Sequence, residues 1–405
     1  MEKKFNHGKP TDEKTAWMNA RQSSLTINKT TITPGGQILD WIPIESQTKD
    51  PIASPPIIGE GDVSPVDPAK PTHPLVVDIG EAGPEGHVPI LRPDLSRMPN
   101  SMELKDFLSK RGGLKVNVNR RNKNPADPTP FGYFHAFSIQ TVQAYGCDGL
   151  LNLWDPKINI PAPPTPDLDH SISQTWLQNM ETGLTHSIEA GWTVDLGLNA
   201  NLYPHLFIYY TNNNYQQDGD NLGGYNRMYS GWVQTHPTIF PGLQLFTGST
   251  HAIQVELGIK YRLIGGNWWF AIKFVATEPW TYIGYYPSSL FPGGLANYVE
   301  TVAFGGEVYS SLANPCDTLD QMGNGIQAFE SYREVAYQRN LHYSPNLEAI
   351  LAKFDGIPQV DAAGDCAHNN YTISCFMGGN SFWESYQYYG GPVSIFSKKI
   401  PPRGL

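Results

Sequence analysis

The chain has 405 residues, and its 28 Lys and Arg against 38 Asp and Glu give a formal net charge of −10 at pH 7. Only 16% of the residues are charged and 40% are hydrophobic, which excludes a disordered tail and a basic nucleic-acid-binding protein. Aromatic residues at 12%, together with 39 Gly and 34 Pro, favour strands and turns over helices.

The composition changes near residue 130. Residues 1–130 contain half of the prolines and nearly balanced charges, whereas all four cysteines and eight of the ten tryptophans come later. We therefore predict an extended N-terminal segment, residues 1–128, and a globular body, residues 129–405. The body is acidic but poor in charge, which fits tolerance of low pH, where repulsion between carboxylates fades.

The N-terminal segment has few signals for regular structure. Residues 34–99 combine Pro and Gly with short apolar runs, so we expect them to wrap around a surface rather than form a core. Residues 103–112 have apolar side chains at helical spacing and predict one short amphipathic helix that needs a partner. The basic, Asn-rich run that follows, up to Pro125, is either a solvated linker or a protease-sensitive junction.

The body is predicted to be all-β, because apolar and polar residues alternate repeatedly between clusters of Gly, Pro and Asn. The clearest half-buried antiparallel strand is 253–263, and the other candidates are 206–211, 268–276, 280–286 and 299–309. An antiparallel β-sandwich of two packed sheets is the simplest architecture for such a series. Only residues 346–354 predict a helix in this part of the chain.

Four cysteines permit three pairings. We expect Cys366 to pair with Cys375 across a short loop and Cys147 to pair with Cys316, which implies an oxidising compartment. The alternative is four reduced thiols in the core. The first seven residues lack the apolar stretch of a secretory signal, so a signal was removed or replaced, or none existed.

The sequence lacks the motifs of several classes of enzyme. The sequence has no GxSxG elbow, no phosphate-binding Walker loop, no strand-linked GxGxxG and no HExxH. The 11 His have no ligand spacing, and no stretch approaches the roughly 18–20 apolar residues that span a bilayer. We therefore expect no metal, no cofactor, no nucleic acid and no membrane among the partners.

Two glutamates lie in strand-like segments that are otherwise poor in charge and rich in glycine. Alternation places Glu189 on the face opposite Ile188 and Trp192, and it places Glu307 on the face opposite Phe304 and Val308. Small neighbours would leave each carboxylate in an open groove, because glycine in a strand often marks the close approach of a ligand or another backbone. An ordinary exposed strand glutamate is the alternative at either position.

The body resembles the neprosin family of glutamic peptidases over roughly residues 130–343. The resemblance begins weakly at 137–138 (FS) and then follows ordered blocks: 171–176 (SISQTW), 187–192 (SIEAGW), 206–211 (LFIYYT), 215–216 (YQ), 231–234 (GWVQ), 266–269 (GNWW), 283–287 (IGYYP), 305–308 (GGEV), 321–325 (QMGNG) and 337–341 (YQRNL).

This resemblance implies a secreted, monomeric endopeptidase that cleaves proline-containing peptides and proteins after proline at acidic pH, with no metal or cofactor. It implies that Glu189 and Glu307 are the catalytic pair, and that the N-terminal segment is an intramolecular inhibitor removed on activation. Two departures point to a microbial branch: residues 224–229 lack the flanking cysteines of plant members, and Phe304 stands where a tryptophan is expected.

Hydrolysis of an amide without a Ser or Cys nucleophile requires a base to activate water, an acid for the leaving nitrogen and a donor for the oxyanion. Two close carboxyls can share one proton and supply the first two, which favours activity in acid. The sequence does not decide which glutamate is the base. Candidates for oxyanion stabilisation or for contact with the substrate proline are Gln174, Trp176, Tyr215, Trp268 and Gln321, whereas Trp192 is expected in the core.

Two other classes of function are compatible with these residue types. A carbohydrate-binding or glycoside-cleaving sandwich also uses aromatic platforms and paired carboxylates. An inactive sandwich that only binds partners would leave both glutamates dispensable. The ordered blocks and the N-terminal segment favour the peptidase.

Overall fold

A computed structural model describes residues 10–57, 78–96, 98, 104–110, 132–160, 169–199, 201–246, 249–250, 253–274, 279–312, 314–329, 333–348, 350–362, 371–378 and 380–392. Its helices are α1 (Pro10–Ser24), α2 (Leu104–Phe107) and α3 (Leu196–Asn199), with short 3₁₀ turns at Ile44–Gln47, Ser288–Leu290, Gly294–Ala296 and Pro315–Asp317.

Within these residues the strands form three antiparallel sheets, one small and two large. The small sheet belongs to the N-terminal segment and consists of β1 (Lys29–Ile32), β2 (Ile38–Pro43) and β3 (His87–Leu91). The seven-stranded sheet contains, in spatial order, Ile357–Ala362 (β17), Tyr133–Ala144 (β4), Val299–Tyr309 (β14), His170–Asn179 (β6), His186–Asp195 (β7), His205–Thr211 (β8) and Gly223–Tyr225 (β9).

The nine-stranded sheet contains, in spatial order, Val233–Gln234 (β10), Thr281–Pro287 (β13), Asn267–Lys273 (β12), Glu256–Ile264 (β11), Gly146–Asn152 (β5), Ala336–Tyr343 (β15), Ser385–Gly390 (β19) and Thr372–Met377 (β18), with Ala352–Lys353 (β16) beside β15. Its inner face packs on the seven-stranded sheet, and residues such as Tyr261, Phe270 and Trp192 share one core. The predicted all-β antiparallel sandwich is confirmed.

Alternation explains why these segments form strands. In β11, Leu257, Ile259 and Tyr261 enter the common core, while Lys260 faces the other side. That other side is also covered, because the Lys260 ammonium lies 4.6 Å from the centre of the Trp280 ring and 3.7 Å from Asp148. The strand is therefore buried on both faces rather than half-buried as predicted.

The N-terminal segment packs tightly against the body. Leu39 and Trp41 of β2 belong to the same core as the two large sheets. Gln37 donates to the carbonyl oxygen of Gly242 at 2.6 Å and accepts from the backbone N–H of Gln244 at 3.2 Å. The prediction that this segment wraps around a surface agrees with these contacts, but the prediction that it forms no core is wrong, because Ile42, Val88 and Ile90 form an apolar cluster within it. The small sheet and α1 were not predicted.

Two helix predictions need correction. The helix expected at 103–112 is only the single turn α2, although Leu104 and Leu108 are buried as its amphipathic pattern requires. The helix expected at 346–354 is wrong, because β16 is extended there and pairs with β15. Phe354 explains the difference, since its ring packs 5.0 Å from Phe304 and its N–H donates to Leu341 across the strands.

The predicted disulfide pairs are also wrong. Cys147 and Cys375 are free thiols. Cys147 is buried in β5, where its sulfur lies 3.5 Å from the Thr175 hydroxyl, and Cys375 lies in β18 with its thiol directed at Gln387. Cys316 is disulfide-bonded, and Cys366 lies outside the described residues.

A buried pair of carboxyl groups lies where β6 begins. Asp169 accepts from the Ser311 N–H at 2.7 Å, and Asp320 is likewise buried. Burial raises the pKa of Asp169 to about 6, and the neighbouring Asp320 adds to the increase. Because this pKa is higher in the folded than in the unfolded chain, ionisation of Asp169 weakens the fold as the pH rises from about 4 to 6.

We therefore expect Asp169→Asn to stabilise the protein at pH 7 by about 2–3 kcal/mol and to change little at about pH 4. Urea unfolding at the two pH values measures this, with the exposed Asp355→Asn as the control. An equal gain at both pH values would show that ionisation of Asp169 is not the cause.

In the part of the chain that the structure describes, no helix is long and apolar enough to cross a membrane. The same residues contain no group of three or more His, Cys, Asp or Glu side chains suited to holding a metal ion.

Candidate functional site

The two glutamates lie on strands that flank the same neighbour. β6 is hydrogen-bonded to β14 on one side and to β7 on the other. Gln174 in the middle of β6 is opposite Gly191 on β7 and Gly305 on β14. Glu189 and Glu307 each stand two residues from one of these glycines, so Gln174 lies between the two carboxylates on one face of the sheet.

That face is the outer one, as alternation predicted. Ile188, Ala190 and Trp192 of β7 point into the sandwich core, as do Phe304 and Val308 of β14. Trp192 is therefore a core residue, and its indole N–H donates to the carbonyl oxygen of Asn152 at 3.1 Å. The sequence correctly separated the core side chains from the candidate site.

The glycines beside the glutamates allow the neighbouring strand backbones to approach closely. A Cβ at Gly191 would collide with the Ser173 carbonyl oxygen and the Cα of Gln174, and one at Gly305 would collide with the backbone of Ala136 and Phe137. Of the two interpretations of a strand glycine, close approach of a neighbouring backbone is the one found here.

The prediction of an open groove is wrong in this chain. Both glutamates are fully buried, because the segment containing Leu104, Leu108 and Lys110 covers them. The Lys110 ammonium lies 2.6 Å from Oε2 of Glu189 and 3.0 Å from Oε2 of Glu307. One cation from the N-terminal segment thus occupies the position where both carboxylates converge.

Three further nitrogens face Glu307. Gln174 donates to Oε2 at 3.0 Å, Nε2 of His135 lies 3.2 Å from the same oxygen, and Nε2 of His170 lies 3.2 Å from Oε1. Burial opposes ionisation, but Lys110 and the two histidines outweigh it and hold the pKa of Glu307 well below its usual range.

Glu189 has hydroxyl partners instead. The Tyr215 phenol donates to Oε1 at 2.5 Å, and the Ser187 hydroxyl lies 3.1 Å from the same oxygen. Burial and the adjacent Glu189 raise the pKa of Tyr215 well above its usual range, so this phenol keeps its proton and can donate it to a hydrogen bond with Glu189. Tyr209 stacks on Tyr215 with ring centres 5.9 Å apart, and Lys110 lies 5.7 Å from the Tyr209 ring centre.

The segment that covers Glu189 also covers an aromatic surface. Leu95, Met98, Leu104 and Leu108 pack against body residues that share one apolar cluster outside the main core: Ile172, Phe207, Tyr209, Tyr215, Tyr225 and Met228. Asp218 holds the covering segment at Lys110, because its carboxylate accepts hydrogen bonds from the backbone N–H of Lys110 at 3.3 Å and from the Tyr209 hydroxyl at 2.7 Å.

Of the other predicted site residues, Gln174, Tyr215 and Trp176 lie at the glutamates. Trp176 is directly opposite Glu189 in the register and fully buried against Phe137. Trp268 lies elsewhere, because its ring is in the sandwich core and its N–H donates to Leu295 at 2.8 Å. Gln321 is also remote, since its side chain accepts the N–H of Lys157 at 2.9 Å.

Sequence reasoning missed Lys110, His135 and His170. Lys110 lies near the end of the short helical pattern at 103–112, and nothing in the sequence around it indicates contact with the glutamates. A signal for His135 did exist, because it alternates with the core residues Phe134 and Ala136 and so shares the outer face with Glu307. The histidines were treated as scattered because their proximity depends on strand pairing.

These observations define a β-sandwich with two carboxylates converging on one sheet face. The family model described as Neprosin matches residues 167–392, more than half of the chain, so the chain belongs to the Neprosin family. The resemblance found in the sequence is thereby confirmed. Both glutamates lie within the matched residues, whereas Lys110 and His135 precede them.

The solved structures that match include that of a functionally unknown protein from Saccharomyces cerevisiae. It has a TM-score of 0.21 and 9% sequence identity, and the match covers 43% of this chain and 63% of that chain. Family membership supports a neprosin-type peptidase.

Proposed function

We propose that this chain is the inactive precursor of a secreted glutamic endopeptidase that cleaves after proline in acid, with Glu189 and Glu307 as its catalytic residues. The observation that carries the proposal is the convergence of the two buried carboxylates on a single ammonium group. A water molecule in the position of that ammonium would contact both carboxyl groups, which is the arrangement that acid–base hydrolysis of an amide needs.

The chemistry follows from one ionised and one protonated carboxyl group. The carboxylate takes a proton from water while the water oxygen bonds to the scissile carbonyl carbon. The carboxylic acid then gives its proton to the leaving nitrogen as the C–N bond breaks, and one proton passes back between the two groups to restore the starting state. Gln174, between the two carboxylates, has an amide suited to orienting the water or donating to the oxyanion.

The covered aromatic surface supplies a place for the substrate proline. Tyr209, Tyr215 and Tyr225 lie beside Glu189 under the apolar residues of the N-terminal segment. A proline ring packs well on aromatic faces, and removal of the segment would free this surface. This surface replaces Trp268, which the sequence had offered for the same role.

The N-terminal segment acts as the inhibitor in this proposal. Lys110 forms an ion pair with each glutamate and fills the space of the water, and the boundary near residue 128 is where the segment would be released. The mature enzyme would be a monomer that acts outside the cell on proline-containing peptides and proteins.

The test is to incubate the purified full chain at about pH 4 and follow its mass by gel and mass spectrometry. A fluorogenic peptide with one proline, and the same peptide with alanine in its place, are then added. We expect loss of the N-terminal segment and cleavage of the first peptide only, after proline. An intact chain that cleaves neither peptide, or cleavage of a glycan panel instead, would contradict the proposal.

A further inference from the structure

The environments of the two glutamates differ in a way that does not depend on Lys110. Without that lysine, Glu307 would keep three nitrogen neighbours, from Gln174, His135 and His170, at 3.0–3.2 Å. Among the described residues, the side chain of Glu189 would keep the hydroxyls of Tyr215 and Ser187. Nitrogen donors favour an ionised carboxylate, whereas hydroxyl groups accommodate either form because they can also accept.

The two histidines are not equivalent. Nδ1 of His170 lies 3.7 Å from Asp195 and Nε2 lies 3.2 Å from Glu307, so this ring stands between two carboxyl groups, one at each ring nitrogen. Nδ1 of His135 is buried and has no partner among the described residues. Nε2 is therefore the ring nitrogen of His135 that has a hydrogen-bonding partner among the described residues, and that partner is Glu307.

Aromatic rings fix both imidazoles in place. Tyr133 stacks on His135 with ring centres 6.2 Å apart, and Tyr309 stacks on His170 at 5.7 Å. Each histidine therefore presents Nε2 to Glu307 in a packed setting that leaves little freedom for the ring to turn away.

We propose that His135 and His170 are positioning residues that keep Glu307 ionised as the base that activates water, which leaves Glu189 as the acid that protonates the leaving nitrogen. This inference rests on the proposed peptidase function and deepens it. In the step itself, Glu307 gains the proton of water, the water oxygen bonds to the carbonyl carbon, and Glu189 loses its proton to the amine as the C–N bond breaks.

The charged and titratable groups that face Glu307 come from every element around it. The N-terminal segment contributes Lys110, and β4 and β6 contribute His135 and His170. The carboxyl groups of β7 are Glu189 and Asp195, and the phenols nearby are Tyr133 and Tyr225. After loss of Lys110, the histidines are the remaining basic groups at this carboxylate among the described residues.

The direction of the expected pH shift follows from the hydrogen-bond donors to Glu307. Each donor to the carboxylate lowers the pKa of Glu307, so removal of a donor raises it. A base with a higher pKa becomes protonated at higher pH, so the acidic limb of the pH profile moves upward. We expect His135→Leu and His170→Leu each to shift that limb of kcat/KM by about one pH unit, or about tenfold at a pH below the limb.

Glutamine variants separate positioning from packing. His135→Gln can place an amide N–H near the position of Nε2. It should therefore return the acidic limb of kcat/KM most of the way from its position in His135→Leu to its wild-type pH. His170→Gln should restore less, because a glutamine amide replaces the contact with Glu307 but cannot at the same time contact Asp195 as the second ring nitrogen does. A purely structural role would lower kcat/KM equally at all pH values, with both limbs unmoved, and would overturn the proposal.

Infrared spectroscopy tests the assignment of acid and base without requiring catalysis. In the full chain carrying Lys110→Met, infrared spectra recorded just after a shift to about pH 5, before processing, should contain the carbonyl stretch of one protonated carboxyl group beyond those of Asp169 and Asp218, whose pKa values burial raises to about 6. That additional band should vanish on adding Glu189→Gln and persist on adding Glu307→Gln. The opposite result would overturn the assignment of acid and base, whereas an acid-treated wild type that cleaves no peptide would instead contradict the peptidase function.

Discussion

Replacing either Glu189 or Glu307 with glutamine is expected to lower kcat/KM for a proline-containing peptide by about 10²–10⁴-fold. Glutamine keeps the size and one carbonyl oxygen of the side chain but can neither take nor give the proton. Each carboxyl group performs a separate proton transfer in the proposed reaction, so neither can replace the other. KM should change little, because the apolar surface around Tyr209 and Tyr225 remains.

The same variants should fail to remove their own N-terminal segment in acid if processing is autocatalytic. Peptide assays after treatment with an external protease then separate loss of activation from loss of catalysis. Glu348→Gln, an exposed glutamate on the body, is the matched control and should behave as wild type. A Glu189 or Glu307 variant with more than about a tenth of wild-type kcat/KM would exclude that residue as a proton-transfer group.

Replacing Lys110 with methionine is expected to loosen the N-terminal segment at neutral pH. The change leaves two buried carboxylates without their shared cation, and breaking a buried ion pair by removing one partner costs about 3–5 kcal/mol. The chain can avoid part of this cost by releasing the segment and hydrating the carboxylates. We therefore expect faster hydrogen exchange and proteolysis of residues 104–110, and faster processing in acid.

The pH dependence of this effect has a definite sign. Burial opposes the charge of Lys110, but Glu189 and Glu307 outweigh it and raise the Lys110 pKa, so the lysine contributes to stability up to about pH 10. The depressed pKa of Glu307 makes its contribution complete above about pH 5 and weaker as the pH falls. The difference between wild type and Lys110→Met should thus be largest near neutrality and shrink in strong acid.

Lys29→Met is the matched control for the lysine experiment. Lys29 also pairs with a glutamate of the N-terminal segment, Glu81, at 2.6 Å, but this pair is solvent-exposed. Exposed pairs contribute about 0–1 kcal/mol, so Lys29→Met should leave hydrogen exchange at 104–110 unchanged. Equal effects of the two lysine variants would mean that burial of Lys110 between Glu189 and Glu307 is not what holds the segment.

Alternation was sufficient to predict which side of each strand faces the core. Trp192 and Glu189 are three residues apart in β7, and the sequence assigned them correctly to opposite faces. It also placed Gln174 near the glutamates through the resemblance. These predictions succeed because the direction of a strand side chain depends only on local parity.

Contacts between distant segments were beyond the same reasoning. Parity gives the face of Glu307 but not the fact that Lys110, His135 and His170 reach it, because those contacts depend on which strands pair and where the N-terminal segment lies. The cysteines illustrate the same limit, since Cys375 is close to Cys366 in sequence yet lies in β18 as a free thiol. Trp268 was likewise assigned to the site because an aromatic residue in a strand fits a core and a binding surface equally well.

Glu189, Gln174 and Glu307 lie on the outer face of three adjacent strands, so substitutions on the two faces of these strands should have different effects. On β7 and β14 the even-numbered residues, such as Ile188 and Phe304, fill the sandwich, and the odd-numbered ones carry the site. On β6 the parity is reversed, with Leu177 inside and Gln174 outside. Variation at the outward positions can therefore alter substrate preference while the inward positions keep the scaffold intact, so specificity is open to change without repacking the interior.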